Sequence, residues 1–126
     1  MAIQKNYTDA AYRQTVTIAI NTAVSGAVKL TGYRRLAVET PSAWTAANIG
    51  FEVSEDGTTF IPLRDAAGAK LAITGVITNA AGVYVAPVDT LAAGPYPYLR
   101  LTSLDTVDAS AENQIAARTL KVIALS

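Results

Sequence analysis

The side chains able to do chemistry in this 126-residue chain are carboxylates, hydroxyls and aromatic rings, because it has no Cys and no His. That removes disulfides, thiolate chemistry and Cys/His metal sites, and with them the commonest general base. Glu52 and Glu55 stand three residues apart and are the nearest thing to paired carboxylates. Glu52 falls on the polar face of an alternating run and Glu55 at its end, so neither is set up for the desolvation that raises a carboxyl pKa. Ser and Thr are plentiful, but nothing here activates one, and no nucleophile elbow occurs. Asp65, Asp89, Asp105 and Asp108 could offer oxygens to calcium, yet they lack the spacing of a calcium loop and read as solvated turn residues. Trp44, Tyr84, Tyr96 and Tyr98 are the rings that could stack on a sugar. Trp44 lies in a connector, where capping the core is the favoured reading. Tyr96, between Pro95 and Pro97, is held ready at a loop tip and suits a protein contact. The chain is therefore not expected to be an enzyme, and no cofactor or metal is expected.

Charge and composition narrow the partners. Ten basic and ten acidic residues give a formal net charge of zero. No basic excess exists to neutralise phosphates, which argues against nucleic acid. Low net charge also removes the repulsion that keeps copies apart. Residues 1–14, MAIQKNYTDAAYRQ, contain no continuous apolar core of a signal peptide, and no run of about 18 apolar residues points to a membrane span. Hydrophobic residues make up 51% but aromatics only 7%. That balance, much of it Ala, suits tightly packed β layers or an assembled surface better than a deep ligand pocket.

The elements that must position these residues read as strands around one hairpin. In residues 48–65, NIGFEVSEDGTTFIPLRD, Ile49, Phe51 and Val53 alternate with polar or small residues, which puts them on one face of a strand. Asp56-Gly57 supplies a turn. A two-residue turn sets Val53 opposite Phe60. A bulged three-residue loop sets Val53 opposite Ile61 and Phe51 opposite Leu63, and is favoured because it pairs two apolar positions in a row. Pro62 cannot donate to a ladder, which places its strand at an edge or a bulge.

Other strands are expected at residues 14–20, with Val16, Ile18 and Ile20 toward the core, then at 27–30, 33–39, 83–85, 98–103 and 118–125. Residues 21–26 read as a loop, 41–47 as a connector, and 65–68 and 79–82 as turns. Residues 70–77 read as strands or an irregular crossing divided by Gly75, 89–93 as a single helical turn, and 105–117 as a long polar loop of the kind that binds. Arg34, Arg35 and Arg100 read as surface ion-pairing residues, the first two on opposite faces of a strand. Short strands about ten residues apart, broken by Gly, Pro and Asn, indicate an all-β fold: a single antiparallel β-sandwich over residues 13–126 behind an extended N-terminal arm, 1–12, with Tyr7 and Tyr12 as anchors.

The order Trp44, then IGFEVSEDGTTF from Ile49, then YLRLTS from Tyr98, resembles discoidin-type, galactose-binding-like jelly rolls. The second half, YLRLTS followed by NQIAARTL from Asn113, is similar to small β-sandwich proteins of tailed-phage structural clusters, some of them capsid decoration or head-fibre components. The likeness spans about residues 40–125. The Cys pair of secreted discoidin domains is absent, which favours a virion component over an extracellular lectin. The resemblance implies a jelly-roll structural protein made in a bacterial host cytoplasm and carried in the virion. Its first expected role is decoration or cementing of the capsid, as a homo-oligomer such as a trimer, on the major capsid protein or another virion protein. A carbohydrate-binding module of a fibre and a tail or neck connector are the alternatives. The expected interface residues are Tyr7, Tyr12, Trp44, Pro95, Tyr96, Pro97, Asp105, Asp108 and Asn113.

Overall fold

In the computed structural model, residues 11–30, 33, 35–87 and 96–125 are described. They form nine strands: β1 (Ala11–Ile18), β2 (Val24–Lys29), β3 (Arg35–Thr40), β4 (Asn48–Ser54), β5 (Ile61–Pro62), β6 (Ala72–Ile73), β7 (Gly82–Val85), β8 (Tyr98–Leu104) and β9 (Arg118–Leu125). Every pairing is antiparallel, in one open sheet ordered β5-β4-β8-β2-β1-β9-β3-β7, with β6 also on β4. The all-β, antiparallel expectation is met. The ladders run on as one curled, open sheet.

The curl has a local cause. Along β2 the pairing with β8 passes from Val24↔Thr102 to Ala27↔Arg100, so three steps on one strand answer two on the other. This is a β-bulge, which bends and twists its strand. Buried Ser25 fills the gap, its hydroxyl accepting from the Leu101 N–H at 2.9 Å. The same residue makes the one registered pair between β2 and β1, opposite Ile18. The sheet thus turns at Ser25 into two halves, β5/β6-β4-β8-β2 and β1-β9-β3-β7. Residues 24–26 therefore belong to a strand, where a loop was expected, because Ser25 and Gly26 have the composition of a turn but serve as a bulge.

The halves share one core. Alternation points Val16 and Ile18, Leu36 and Val38, and Leu120 and Val122 inward from one half. From the other come Val28, Ile49, Phe51, Val53, Leu99 and Leu101. Trp44 caps it, 3% exposed, with its indole N–H donating to the Ala47 carbonyl at 3.1 Å. Trp44 thus takes the favoured core-capping place, and its inclusion among the expected interface residues is corrected. Ile20 is also corrected: β1 ends at Ile18, and Ile20 enters a turn with 57% exposure.

The hairpin takes the favoured register, Val53↔Ile61, with the Leu63 N–H donating to the Phe51 carbonyl at 2.9 Å. Ser54 Oγ accepts from the Asp56 and Gly57 N–H groups, and Asp56 Oδ1 from those of Thr58 and Thr59. Gly57 sits at φ 80°, and an added Cβ would press on the Tyr98 ring at 3.2 Å. Pro62 lies on an edge strand, as its missing donor requires. That edge is split. β5 and β6 pair with successive parts of β4, and residues 64–71 leave the sheet between them as a hairpin closed by the Arg64↔Lys70 bridge. Of the two possible strands in 70–77, only β6 forms.

Ala11 and Tyr12, placed in the expected arm, belong to the sheet. β1 begins at Ala11, Tyr12 pairs with Ala124, and its hydroxyl donates to Gln14. The sheet therefore claims a residue that lacks an apolar signal of its own. Tyr7, Asp89, Pro95, Arg34 and the helical turn at 89–93 lie outside the described residues.

Candidate functional site: a pinned loop end

No side chain in the long loop looks more ordinary than Gln114, and it is wholly buried. Burying an amide is costly unless its donors and acceptor are satisfied. Here they are. Gln114 Nε2 donates to Ser103 Oγ at 2.9 Å and to the Thr45 carbonyl at 3.2 Å. Its Oε1 accepts from the Thr45 N–H at 2.9 Å and from Arg118 Nε at 3.2 Å. On the main chain, Asn21 N–H donates to the Gln114 carbonyl at 2.8 Å and Gln114 N–H to the Thr22 carbonyl at 2.9 Å. One residue thus ties together the β1–β2 turn, the Trp44 connector, β8 and the start of β9. Arg118 adds a bond from Nη2 to Thr45 Oγ1 at 3.3 Å.

The rest of the loop is built by aspartates. Asp105 Oδ1 accepts from the Val107 and Asp108 N–H groups, and Asp108 Oδ1 from the Ser110 hydroxyl and N–H. The Ser110 hydroxyl and then its N–H hold the Asp108 carboxyl below the usual carboxylate range. Lys70 reaches across from the 64–71 excursion to the Ala109 carbonyl at 3.0 Å. Asn21 and Ala109, in the two neighbouring loops, both sit at φ 61°. Left-handed backbone is uncommon for a residue with a Cβ and is kept where its surroundings hold it.

This frame holds apolar side chains in water. Ile115 is 72% exposed beside buried Gln114, and Val107 is 93% exposed on the first turn of the same loop. Ile20 stands one residue from Asn21, so the Asn21–Gln114 bond sets it at the same end as Ile115. Sequence reading picked out the loop but not Val107 or Ile115, and it set Ile20 toward the core. Isolated apolar positions in a polar loop have no period to reveal them, and the burial of Gln114 depends on Thr45, 69 positions away.

The other expected site residues scatter. Asp105 and Asp108 build turns in this loop, and Asn113 is exposed in it. Tyr96 is half-buried against the core and lines a shallow cleft of about 200 Å³ with Val53, Ser54, Asp56 and Ile61, so it is not the free loop tip expected. Pro97 is half-buried, its carbonyl accepting from Leu30 N–H at 2.9 Å. Tyr84 packs against the core and its hydroxyl accepts from Ile77 N–H at 2.9 Å. Burial pushes the Tyr33 phenol up to about 12. Among the described residues, no three of the Asp and Glu side chains gather as a metal site would need, and no helix is long and apolar enough to cross a membrane.

No protein-family model matches the chain, and no curated protein matches its sequence. Its fold is similar to the crystal structure of YomS, a protein derived from the SPBc2 prophage. The likeness covers 100% of this chain and 99% of that one, with a TM-score of 0.52 and 13% identity. It establishes the all-β architecture as one already built by a prophage-encoded chain.

Proposed function

We propose that this chain is a structural component of a phage particle, in the first place a decoration or cement protein on the capsid shell. The observation that carries the reading is the pinned loop end: Ile20 and Ile115 face water beside the backbone that Gln114 holds fixed, and Val107 faces water on the turn that Asp105 builds. Preorganised apolar residues lose little freedom on docking, so more of their burial, at about 25 cal/mol per Å², is kept as affinity. The full-length likeness in fold to a prophage protein supports the phage setting. In this reading the two halves of the sheet act as the layers of a jelly-roll-like sandwich, as the shared core suggests. The partner is the major capsid protein or another virion protein, and the mechanism is mechanical: a rigid body clamps neighbouring subunits and makes no bonds of its own.

The test is to quantify the chain by mass spectrometry in purified particles from its genome of origin, and to add a Val107→Asp/Ile115→Asp variant to particles that lack the protein. The expected results are a copy number near that of the major capsid protein and loss of binding in the variant. A copy number matched to tail or neck moves the role there. Absence from the particle, with glycan binding that is lost in Tyr96→Ala, replaces it with the sugar-binding reading.

A further inference from the structure

The two margins of the sheet differ. At one, β5 carries Pro62, and the strand breaks for the 64–71 excursion before resuming as β6. Proline, short edge strands and covering loops are the usual means of stopping sheets from pairing edge to edge. At the other margin, among the described residues, β7 pairs with β3 alone. Gly82–Val85 contains neither proline nor charge.

The hydrogen-bond phase of β7 is fixed by its known partners. Ala86 N–H donates to the Leu36 carbonyl at 2.9 Å, and Gly82 exchanges bonds with the Thr40 hydroxyl. Gly82, Tyr84 and Ala86 therefore aim their backbone groups at β3. By alternation, Val83 and Val85 aim theirs away from it. Their side chains are 61% and 80% exposed. They share the outer face with Ala37, opposite Val85, and Glu39, opposite Val83. Glu39 is neutralised by Lys121 at 3.6 Å.

We propose that β7 is a self-pairing edge: a second copy of this chain adds its own β7, antiparallel, so that one sheet runs through both. The strand is complementary to itself about a two-fold axis at Tyr84. Val83 of each copy then faces Val85 of the other, and both positions offer an N–H and C=O that no strand among the described residues takes up, so the bonds are reciprocal. The seam joins valine to valine on the outer face and sets no charge against a like charge. A basic or acidic partner strand would gain nothing from these residues, which is why a copy of the chain fits best. This rests on the reading of the chain as an assembling protein and names the surface it would use.

Four residues of edge bury far less than the roughly 1,200 Å² of a stable dimer, so the pairing is weak in solution and is strengthened where copies are held side by side. The test is sedimentation of the full chain from low micromolar to about 1 mM. The weight-average mass is expected to rise from 13.1 kDa toward twice that value. Val85→Lys, at a side chain 80% exposed, should fold normally and stay monomeric. Mixing Val85→Lys with Val83→Glu should restore pairing, because the two new charges meet across the seam. A wild type monomeric throughout overturns the proposal, and so does a dimer that Val85→Lys leaves intact. If it is monomeric while the Val83 and Val85 amides resist hydrogen exchange, the chain covers its own edge and the proposal falls. None of these outcomes touches attachment through the Gln114 end, which the particle experiment reads separately.

Discussion

On the outer face of the half that ends at β5 and β6, Glu52 and Arg100 face each other across β4 and β8 and are bonded at 2.6 Å, with the guanidinium 4.2 Å above the Phe60 ring. Lower on the same face Leu104 is buried, and so is Leu71 in the excursion, although neither belongs to the main core. The half that ends at β7 wears a thinner coat. Thr17 and Thr119 meet at 3.2 Å, Lys121 and Glu39 at 3.6 Å and largely in water, and Val83 and Val85 are bare. One half is finished against solvent, with a second layer and a closed margin. The other is left as a plain β surface with an open one. A protein that assembles needs both: a side that resists chance pairing and a side that permits it.

The joint between the halves gives the largest expected effect. Gln114→Leu keeps the volume but strands the Thr45 N–H and carbonyl and the Ser103 hydroxyl in the interior. Buried unpaired groups cost about 1–3 kcal/mol each, so a loss of about 3 kcal/mol is expected in urea unfolding. A loss under about 1 kcal/mol would mean that water enters freely and that the halves are not joined there.

Next comes the covered face. Gly50 has no Cβ, and one placed there would lie 2.5 Å from Leu104 Cδ1 and from Thr102 Oγ1. Gly50→Ala should cost about 2 kcal/mol by overpacking, read as a lower urea midpoint. The bare face offers a control: Val85→Ala, 80% exposed, should change stability by less than about 0.5 kcal/mol. Equal effects at the two sites would erase the distinction between the faces.

How far this contrast was legible in the sequence depends on the range of the interactions. Alternation in IGFEV, together with Asp56-Gly57, gave β4, its turn and the Val53↔Ile61 register, because those signals are local. Pro62 announced an edge by its missing donor. The β7 edge sent no signal, since Gly82–Val85 reads like any short strand and only its lack of a second neighbour among the described residues makes it unusual. Ser25 hid a strand by looking like a loop, and Tyr96 looked available because nothing nearby in sequence says what covers it. Gln114 was quoted within a motif without a role of its own. A buried polar joint is a property of four segments meeting, and no one of them records it.

The ion pairs test the faces more gently. Glu52 and Arg100 are one-fifth to one-quarter exposed, and the guanidinium also stacks on Phe60. A double-mutant cycle to Ala should give a coupling of about 1 kcal/mol. The same cycle on Glu39 and Lys121, each about 40% exposed, should give about 0.3 kcal/mol or less. Reversal of that order would mean that the thinner coat is the better bonded one.

Acid gives the smallest effect, and it discriminates between the margins. In the folded chain the N–H groups of Thr59 and Thr58, and then the Ser54 hydroxyl, hold the Asp56 carboxyl at about 2, below its ordinary 3.8. A carboxylate depressed by folding contributes stability that is complete above its unfolded value and is lost as pH falls through the folded one. The turn that feeds the closed edge should therefore weaken between pH 4 and 2. Gly82–Val85 carries no carboxylate. Asp56→Asn keeps an acceptor at Oδ1 but no charge. It should melt below the wild type at pH 6, and the gap should narrow as pH approaches 2, when the wild type loses its own charge. Exchange at the Leu63 amide, bonded to the Phe51 carbonyl beside that turn, should quicken with acid in the wild type beyond its intrinsic pH dependence. A gap independent of pH would show that the turn draws nothing from the ionised carboxylate, and would leave the closed margin resting on Pro62 and the excursion alone.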